Sequence, residues 1–538
     1  MRIFYSLVAG IVLAISFSSP ALVASCRPAA VSTAAATRFL SQASWAPTAE
    51  TVAQVAATGF DCYIEEQIAL PATSWSPIAD APLTDPVKLT YVLRPVQEAF
   101  FHNAVTGKDQ LRQRMAWALG QIWVVSAVKL KAQAIPPYNR ILQSNAFSGY
   151  EVLMKEVTLS PAMGRYLDMV NNNKPTATKG ANENYAREFM QLFTIGLNEL
   201  RDDGGLVLNG GRPVPTYTQD TVEGFARSFT GWTYAPLPGA ISKFGNPEDY
   251  ASPMVAFAAN HDITAKQVLS GVTLPVRQTP DMDLTGALHN IFSHHNVGPF
   301  VCRQLIQHFV TSDPSPAYIN RVVNVFNSYP RGDLKAVVRA ILLDNEARAG
   351  DTNASLAAAG HLKEPALFLN GTLRRLSAAI AVPDFAKGTG TTGLITVSTN
   401  LGQNIFYPPT VFNYYAPDYK ITDGQTKISA NAPEFQLMSG ATAMSRMDVW
   451  NTLAFGRMTG VSIDPILLQW QNMLGTTPNA TSEAAMVDAV YATVVGGATP
   501  KAIKDTVLAS FKNLRTPKSM VSTALYLIGS NWSNQVVR

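Results

Sequence analysis

Residues 180–197 read GANENYAREFMQLFTIGL and combine a run of aromatic residues with two glutamates and an arginine. At a helical step of about 100° per residue, the large apolar side chains share one face, namely Tyr185, Phe189, Leu192 and Phe193. Gly196 stands where a left-handed residue commonly ends a helix. The pattern predicts an amphipathic helix that packs its aromatic face against a core.

The polar face of this helix carries the first candidate catalytic residues. Glu183 and Arg187 are four residues apart, in the order that favours an ion pair. Glu188 lies near the border of the apolar face, so we expect it to be partly buried beside Arg187 or Asn184. A carboxylate in that setting either forms a structural ion pair or acts as a general acid/base, and the sequence is consistent with both interpretations.

The rest of the chain shows the same helical periodicity between loops rich in proline and glycine. In residues 332–344, GDLKAVVRAILLD, Asp333 precedes apolar residues at i, i+3, i+4 spacing and is predicted to cap a helix. Strand signals are sparse, and Asn209-Gly210 predicts one small hairpin. We expect an all-α fold, with one large multi-helix domain over 26–425, small β-hairpin insertions, and a helical C-terminal cap over 426–538.

The composition supports a globular protein and excludes one class of partner. Of 538 residues, 47% are hydrophobic, which is enough to bury a sizeable core. Charged residues make up only 15%, and the net charge of +4 includes no block of like charges. The electrostatic footprint of a nucleic-acid-binding protein is therefore missing.

The N-terminus carries an export signal. Arg2 precedes an apolar run, and small residues end it at about residue 25, as in a signal peptide. No later stretch approaches the roughly 20 apolar residues of a spanning helix, so no transmembrane span is expected in the mature chain. We expect an exported protein of the periplasm, outer envelope or extracellular space.

The three cysteines leave alternatives open. Cys26 follows LVAS, which resembles a lipoprotein cleavage box, so Cys26 either carries a lipid anchor or follows a simple cut after Ser25. In an oxidising compartment Cys26 and Cys62 could instead pair. Cys302 lies in a helical apolar pattern and is predicted to be a core thiol. No Cys/His spacing suggests zinc, and no metal or cofactor is expected.

Two further segments offer candidate site residues. Trp232 and Tyr234 follow a helix predicted to begin at Thr218, and they either form a stacking wall in a cleft or pack on the helix end. His261 and Asp262 are adjacent, which suits a general base or a metal ligand, although Asp262 is also suited to cap a helix starting at Ile263.

Three basic side chains near these segments also have candidate roles. Lys266 is placed to reach a carboxylate such as Glu188 across the core. His294 and His295 stand between two predicted helices and are interpreted as helix-terminal residues rather than metal ligands.

Residues 405–419, IFYPPTVFNYYAPDY, form the most unusual composition of the chain. The prolines prevent a helix, and an aromatic loop of this kind either contacts a ligand or plugs the core. Tyr414 and Tyr415 are the candidate ligand-binding residues of this loop.

Five motifs together resemble the bacterial domain-of-unknown-function 1800 family. They appear in order as GANENYAREFMQLFTIG, YTQDTVEGFARSFTGW, HDITAKQVLSG, HLKEPALFLNGTLRRL and LGQNIFYPPTVFNYYAPDY, and the resemblance runs from about residue 115 to 419. Many members have Gly-Trp where this chain has Asn413-Tyr414. The resemblance implies a large, mostly helical, commonly exported protein, encoded near an exported protein that looks like a sulfatase or phosphatase, a candidate partner. It implies no activity.

Two functions are consistent with these features. The first is an exported cell-envelope accessory or binding protein whose carboxylate-lined cleft binds a partner or a surface polysaccharide. The alternative is a carboxylate-dependent hydrolase or lyase acting on a polysaccharide. In that case Glu188 or Glu183 is the acid/base, Arg187, His261 or Asp262 assists, and aromatic rings stack the substrate.

Overall fold

The computed structural model describes residues 26–75, 93–352, 360–382, 392–422, 424, 429–456 and 458–537. The predicted signal peptide, residues 1–25, lies outside the described residues. Within them the fold is all-α with small antiparallel hairpins, as predicted from the helical periodicity. None of the described helices is long and apolar enough to cross a membrane.

Helices α1 to α11 form the first half of the described chain. They are α1 Thr33–Ala43, α2 Ala49–Thr58, α3 Phe60–Ala69, α4 Leu93–Thr106, α5 Gln110–Ile122, α6 Ile135–Ser144, α7 Tyr150–Leu159, α8 Pro161–Tyr166, α9 Asn184–Glu188, α10 Gln219–Ser228 and α11 Pro280–Ser293.

Helices α12 to α22 form the second half. They are α12 Val297–Phe309, α13 Pro316–Asn327, α14 Leu334–Leu343, α15 Asn345–Arg348, α16 Pro365–Arg375, α17 Thr392–Asn400, α18 Gly440–Ala454, α19 Asp464–Leu474, α20 Ala480–Val494, α21 Lys501–Ser510 and α22 Pro517–Gly529. Asp333 caps α14 as predicted, because its side chain accepts from the backbone N–H groups of Lys335 and Ala336.

The strands pair only two by two, always antiparallel. The pairs are β1 Leu208–Asn209 with β2 Arg212–Pro213, β3 Trp232–Thr233 with β4 Val255–Ala256, β5 Lys266–Gln267 with β6 Thr273–Leu274, β7 His361–Leu362 with β12 Val536–Val537, β8 Ala379–Ile380 with β11 Val461–Ser462, and β9 Lys420–Thr422 with β10 Ser429–Asn431. The hairpin predicted at Asn209-Gly210 is β1–β2, whose turn places Gly210 and Gly211 at positive φ. Two other pairs join the C-terminal helices to the main body.

The helix predicted over residues 180–197 exists, but its second half is not a regular α-helix. After α9, residues Phe189–Thr194 form a π-helix, whose wider turn lets the Thr194 hydroxyl donate to the carbonyl of Phe189 at 2.6 Å. The predicted apolar face is buried at Tyr185, Phe189 and Phe193, whereas Leu192 is only half-buried. Leu192 still packs against the core but also borders the cleft, which regular helical spacing did not predict.

The aromatic face of this segment packs into the centre of the main body. The Phe193 and Trp123 rings lie 4.8 Å apart between centroids, and the Tyr150 hydroxyl donates to the Phe193 carbonyl at 2.8 Å. Gly196 ends the segment with a φ of +73°, as predicted. The segment is thus anchored in the core while its C-terminal end reaches the surface.

Cys26 and Cys62 form a disulfide with a Cα–Cα distance of 5.2 Å, which ties the start of the described chain to α3. A lipid anchor on Cys26 would use the same sulfur atom, so the two modifications are alternatives, and the structure has the disulfide. Cys302 is a free, buried thiol in α12, as predicted.

Candidate functional site

A cleft of about 380 Å³ opens where four parts of the chain meet. The lining comes mainly from the end of α5, the middle of the π-helix and the strand-like residues after it, one face of α12 along its length, and the aromatic loop. The signature stretch of residues 180–197 and the loop of residues 405–419 therefore border the same space. Neither the spacing nor the composition of these two segments could have shown that they meet.

The cleft lining is rich in side-chain amides and aromatic rings. The amides belong to Gln121, Gln191, Asn198, Gln304, Gln307 and Asn413. Each amide can donate and accept hydrogen bonds without carrying charge. The rings of Phe300, Phe412 and Tyr415 add apolar surface.

The aromatic loop both packs into the core and lines the cleft, and its residues differ in which of the two they do. Phe412 is 57% exposed at the cleft, whereas Tyr415 is 5% exposed. The Tyr414 hydroxyl is turned inward, where it donates to the Asn404 carbonyl and accepts from the backbone N–H of Tyr407. Asn413 has a positive φ, and its amide donates to the Gln121 side chain at 2.8 Å, which fastens the loop to α5.

A buried carboxylate lies beneath the cleft. Glu364 accepts hydrogen bonds from the Trp117 indole, the Gln403 amide at 2.7 Å and the Tyr415 hydroxyl at 3.0 Å. Burial raises the pKa of Glu364, and the hydrogen bonds together with the charge of Arg114 oppose that rise. Through Tyr415 this carboxylate is one side chain away from the cleft.

Two more buried charges accompany Glu364. The Arg114 guanidinium donates to the His308 carbonyl at 2.7 Å and lies over the rings of Trp45 and Phe309. Burial lowers the pKa of Arg114 to about 10, so it stays cationic at neutral pH. The carboxylate of Glu434 contacts His361 and accepts from the Ser312 hydroxyl at 3.1 Å.

We call Arg114, Glu364, Tyr415 and Glu434 the Glu364 cluster. Of these four residues, only Tyr415 was predicted from the sequence to belong to a site. Glu364 stands in the motif HLKEP, and a carboxylate directly before a proline, a residue favoured in the first turn of a helix, was the signal that could have drawn attention to it. Its partner Trp117 is 247 residues away, so the contact itself left no local pattern.

Glu183 and Arg187 form the predicted ion pair at 2.8 Å. Both side chains are substantially exposed, and the Gln219 amide also donates to Glu183 at 3.0 Å. This arrangement is a local surface contact between α9 and α10, and neither residue lines the cleft.

Glu188 is half-buried, and its Oε2 atom has no hydrogen-bond partner among the described residues. Burial raises the pKa of Glu188, and the charge of Arg187 opposes the rise. Glu188 does not line the cleft, but Gln191, three residues later, does. The carboxylate therefore stands outside the cleft lining, beside Arg187.

His261, Asp262 and Lys266 form a sealed cluster with Asp283, which we call the His261 cluster. One oxygen of Asp283 accepts from His261 Nε2 at 2.8 Å and from Lys266 Nζ at 2.6 Å, and all three side chains are 0% exposed. Lys266 was expected to reach a carboxylate such as Glu188, and the carboxylate that it reaches is instead that of Asp283, while its ammonium also donates to the Thr264 carbonyl. The cluster has no open surface on which a substrate could bind.

The predicted capping role of Asp262 is also wrong. No helix begins at Ile263, and strand β5 follows instead. The Asp262 side chain closes a turn by accepting from the backbone N–H and the hydroxyl of Thr264, at 2.7 and 2.5 Å. An aspartate side chain can accept backbone hydrogen bonds in a turn as readily as at the start of a helix, and the sequence pattern did not distinguish the two.

Trp232 and Tyr234 are buried, at 2% and 3% exposure. Trp232 lies in β3, opposite Ala256, and its carbonyl accepts from the backbone N–H of Asn171 at 2.7 Å. This placement agrees with packing behind helix α10, and neither ring faces the cleft.

One group of side chains could hold a metal ion. The ligand atoms of Glu199, His294 and His295 all lie within 4.8 Å of one another. His294 does terminate α11, as the sequence predicted. Burial and the charges of His295 and Arg331 lower the pKa of His294 to about 4, so its ring is neutral at pH 7.

Comparison with known proteins gives one match. The family model described as "Protein of unknown function (DUF1800)" matches residues 38–531, which is wider than the motif-bearing residues 115–419. No curated protein and no solved structure matches the chain.

Proposed function

The chain belongs to the DUF1800 family, whose description assigns no activity, and from that premise we propose that it is an exported cell-envelope protein that binds a segment of a neutral surface polysaccharide in the cleft. The observation that carries this proposal is the lining of the cleft, with six side-chain amides beside three aromatic rings.

Sugars present hydroxyl groups that both donate and accept hydrogen bonds, together with apolar C–H faces. Side-chain amides match the hydroxyl groups, and an aromatic ring such as Phe412 offers a flat surface to the C–H face. The volume of about 380 Å³ lies within the usual range for ligand sites. A long polymer would bind through a short segment of its length.

Two observations favour binding over catalysis at this place. Three donors already surround the carboxylate of Glu364, and Glu434 is engaged by His361 and Ser312. Carboxylates held in this way serve as fixed acceptors more readily than as proton donors.

Export is part of the proposal. The residues of the predicted signal peptide support it, and so does the Cys26–Cys62 disulfide, because disulfides persist mainly in oxidising compartments.

The second candidate is a carboxylate-dependent hydrolase or lyase with Glu188 as the acid/base. The raised pKa of Glu188 and its unpartnered oxygen favour it, since a general acid must hold its proton near neutral pH. Glu188→Gln is its direct test, because the variant removes the proton donor and keeps the shape of the side chain.

The binding proposal is tested by electrophoresis of the mature protein through gels that contain neutral or acidic polysaccharides. Phe412→Ala should weaken retardation by a neutral polymer about three- to tenfold, as expected for the loss of one stacking ring. Phe455→Ala is the matched control, because Phe455 is equally exposed at 56% but does not line the cleft.

Three results would each count against the proposal: no retardation by any neutral polysaccharide, preference for acidic polymers alone, or equal weakening by both phenylalanine variants. Polymer cleavage that is lost in Glu188→Gln would favour the second candidate.

A further inference from the structure

Behind one wall of the cleft, two histidines from the α11–α12 turn meet a glutamate from the strand-like segment that follows the π-helix. We propose that Glu199, His294 and His295 bind a divalent transition-metal ion, with Zn²⁺ the best match. The inference concerns residues outside the cleft lining and does not depend on what the cleft binds.

The distances between the ligand atoms are close to those of a metal site. His294 Nε2 lies 3.5 Å from Glu199 Oε1, and His295 Nε2 lies 3.1 Å from Glu199 Oε2. In a tetrahedral site with bonds of about 2.0–2.2 Å, neighbouring ligand atoms are about 3.3–3.6 Å apart. Because His295 is 55% exposed, its ring has room to turn and bring the three atoms closer than their present 4.8 Å limit.

The backbone that carries these side chains is fixed by Asn296, which is fully buried. Its amide donates to the carbonyls of Ile195 and Asn198 at 2.8 and 2.9 Å, and its oxygen accepts from the backbone N–H of Leu200 at 2.9 Å. One side chain therefore holds the segment around Glu199 against the histidine turn. Such preorganisation lowers the cost of collecting three ligands.

Glu199 is held from its other side as well. Its backbone N–H donates to Val214 and its carbonyl accepts from Val207, both at 2.8 Å. Its Oε2 atom is buried, and no hydrogen-bond donor is aimed at it among the described residues, although His295 lies close. A buried acceptor without a donor is the kind of atom that a cation would satisfy.

The donor set selects the class of metal. Two imidazoles and one carboxylate suit Zn²⁺ and its transition-metal neighbours, whereas Mg²⁺ and Ca²⁺ prefer oxygen ligands throughout. In the metal-free protein, His295 Nε2 lies 3.1 Å from the Leu200 carbonyl, and His294 Nδ1 accepts from the Asn296 N–H at 3.2 Å. Coordination through Nε2 requires the ring proton of each histidine to lie on Nδ1. His295 Nε2 then binds the metal and not the Leu200 carbonyl, and His294 Nδ1 no longer accepts from Asn296, so the metal bonds replace both hydrogen bonds.

The site would brace the cleft wall. Asn198 and Leu200 line the cleft, and side chains alternate along an extended segment, so Glu199 points away from it. A metal held there would join the wall to the α11–α12 turn, with the remaining coordination position left for water.

The test uses the mature full-length protein without an affinity tag, freed of metal with a chelator. Calorimetric titration with Zn²⁺ should give one site of micromolar or tighter affinity, and Co²⁺ should produce the visible absorption bands of a tetrahedral complex. His295→Ala and Glu199→Gln should each weaken Zn²⁺ binding at least tenfold and abolish the cobalt bands. Retained circular dichroism would show that both variants fold.

His289→Ala is the matched control, because His289 forms a similar contact with Glu151 at 3.0 Å but has no second histidine beside it. It should bind Zn²⁺ as the parent does. The proposal is overturned if the parent shows no site in the micromolar range, or if His295→Ala and Glu199→Gln bind as the parent does.

Discussion

The His261 cluster and the Glu364 cluster both bury opposite charges, but only the second touches a cleft. In the His261 cluster, Asp283 holds a lysine and a histidine with no exposed surface. In the Glu364 cluster, one donor to the carboxylate is Tyr415, which also lines the cleft. The difference shows that His261 and Lys266, which were candidate site residues in the sequence, lie enclosed with Asp283 and away from the cleft.

The largest effect is expected from breaking the sealed cluster. Asp283→Ala removes the carboxylate that contacts both His261 and Lys266 in a fully buried place and leaves Lys266 only the more distant Asp262 at 3.8 Å, which should cost about 3–5 kcal/mol of unfolding free energy. Urea unfolding measures the change. A loss below about 1 kcal/mol would show that water reaches the His261 cluster. The two clusters would then no longer differ in being sealed from solvent.

A smaller loss is expected at the cleft cluster. Glu364→Gln keeps the shape of the side chain but removes its negative charge. The positive charge of Arg114 then loses a nearby counter-charge, and one of the three hydrogen-bond donors faces the new amide NH₂ group, which cannot accept. We expect a loss of about 1–3 kcal/mol in urea unfolding. Because the same change disturbs Tyr415, polysaccharide retardation should weaken as well, whereas Asp283→Ala should leave the affinity of the folded fraction unaltered.

Tyr415→Phe isolates the link between the carboxylate and the cleft. The variant removes one hydrogen bond to Glu364 and should cost about 1 kcal/mol of stability, since Gln403 and Trp117 still donate. The paired readout is retardation in the polysaccharide gel. A stability loss without any change in retardation would mean that the hydroxyl serves the core alone.

The smallest effect concerns Glu188 and depends on pH. Because its pKa is raised in the folded protein, the folded state binds more protons than the unfolded state just above the ordinary glutamate pKa. The parent should therefore lose some stability as pH rises from about 4.5 through the raised pKa. Glu188→Gln should remove that part of the pH dependence in urea unfolding at pH 4.5–7, and identical slopes would contradict the expected burial.

The parts of the fold that were predictable are those with a local cause. Helical periodicity predicted the all-α fold class. The position of Asp333 predicted a helix cap, and the spacing of Glu183 and Arg187 predicted an ion pair. The π-helix at Phe189–Thr194 was not predicted. Apolar spacing over six residues cannot distinguish the i→i+5 hydrogen bonds of a π-helix from the i→i+4 bonds of an α-helix.

The site was less predictable, because its contacts join distant residues. His294 meets Glu199 across 95 residues, and Tyr415 meets Glu364 across 51. The aromatic loop and the signature stretch were both singled out, but the space they share depends on tertiary packing. Asp283 was never considered, since nothing near it in the sequence marks it as the partner of Lys266.

The pairing of β12 with β7 has a consequence for the order in which the protein is made. The backbone N–H of Lys363 donates to the Gln535 carbonyl, and its ammonium donates to the Asn534 carbonyl across 171 residues. During synthesis, the segment that leads into Glu364 stays without this edge until those residues leave the ribosome. The segment that leads into Glu364 therefore gains this edge only after residues 534–537 have been made, and a premature stop near residue 530 would leave β7 without its partner strand.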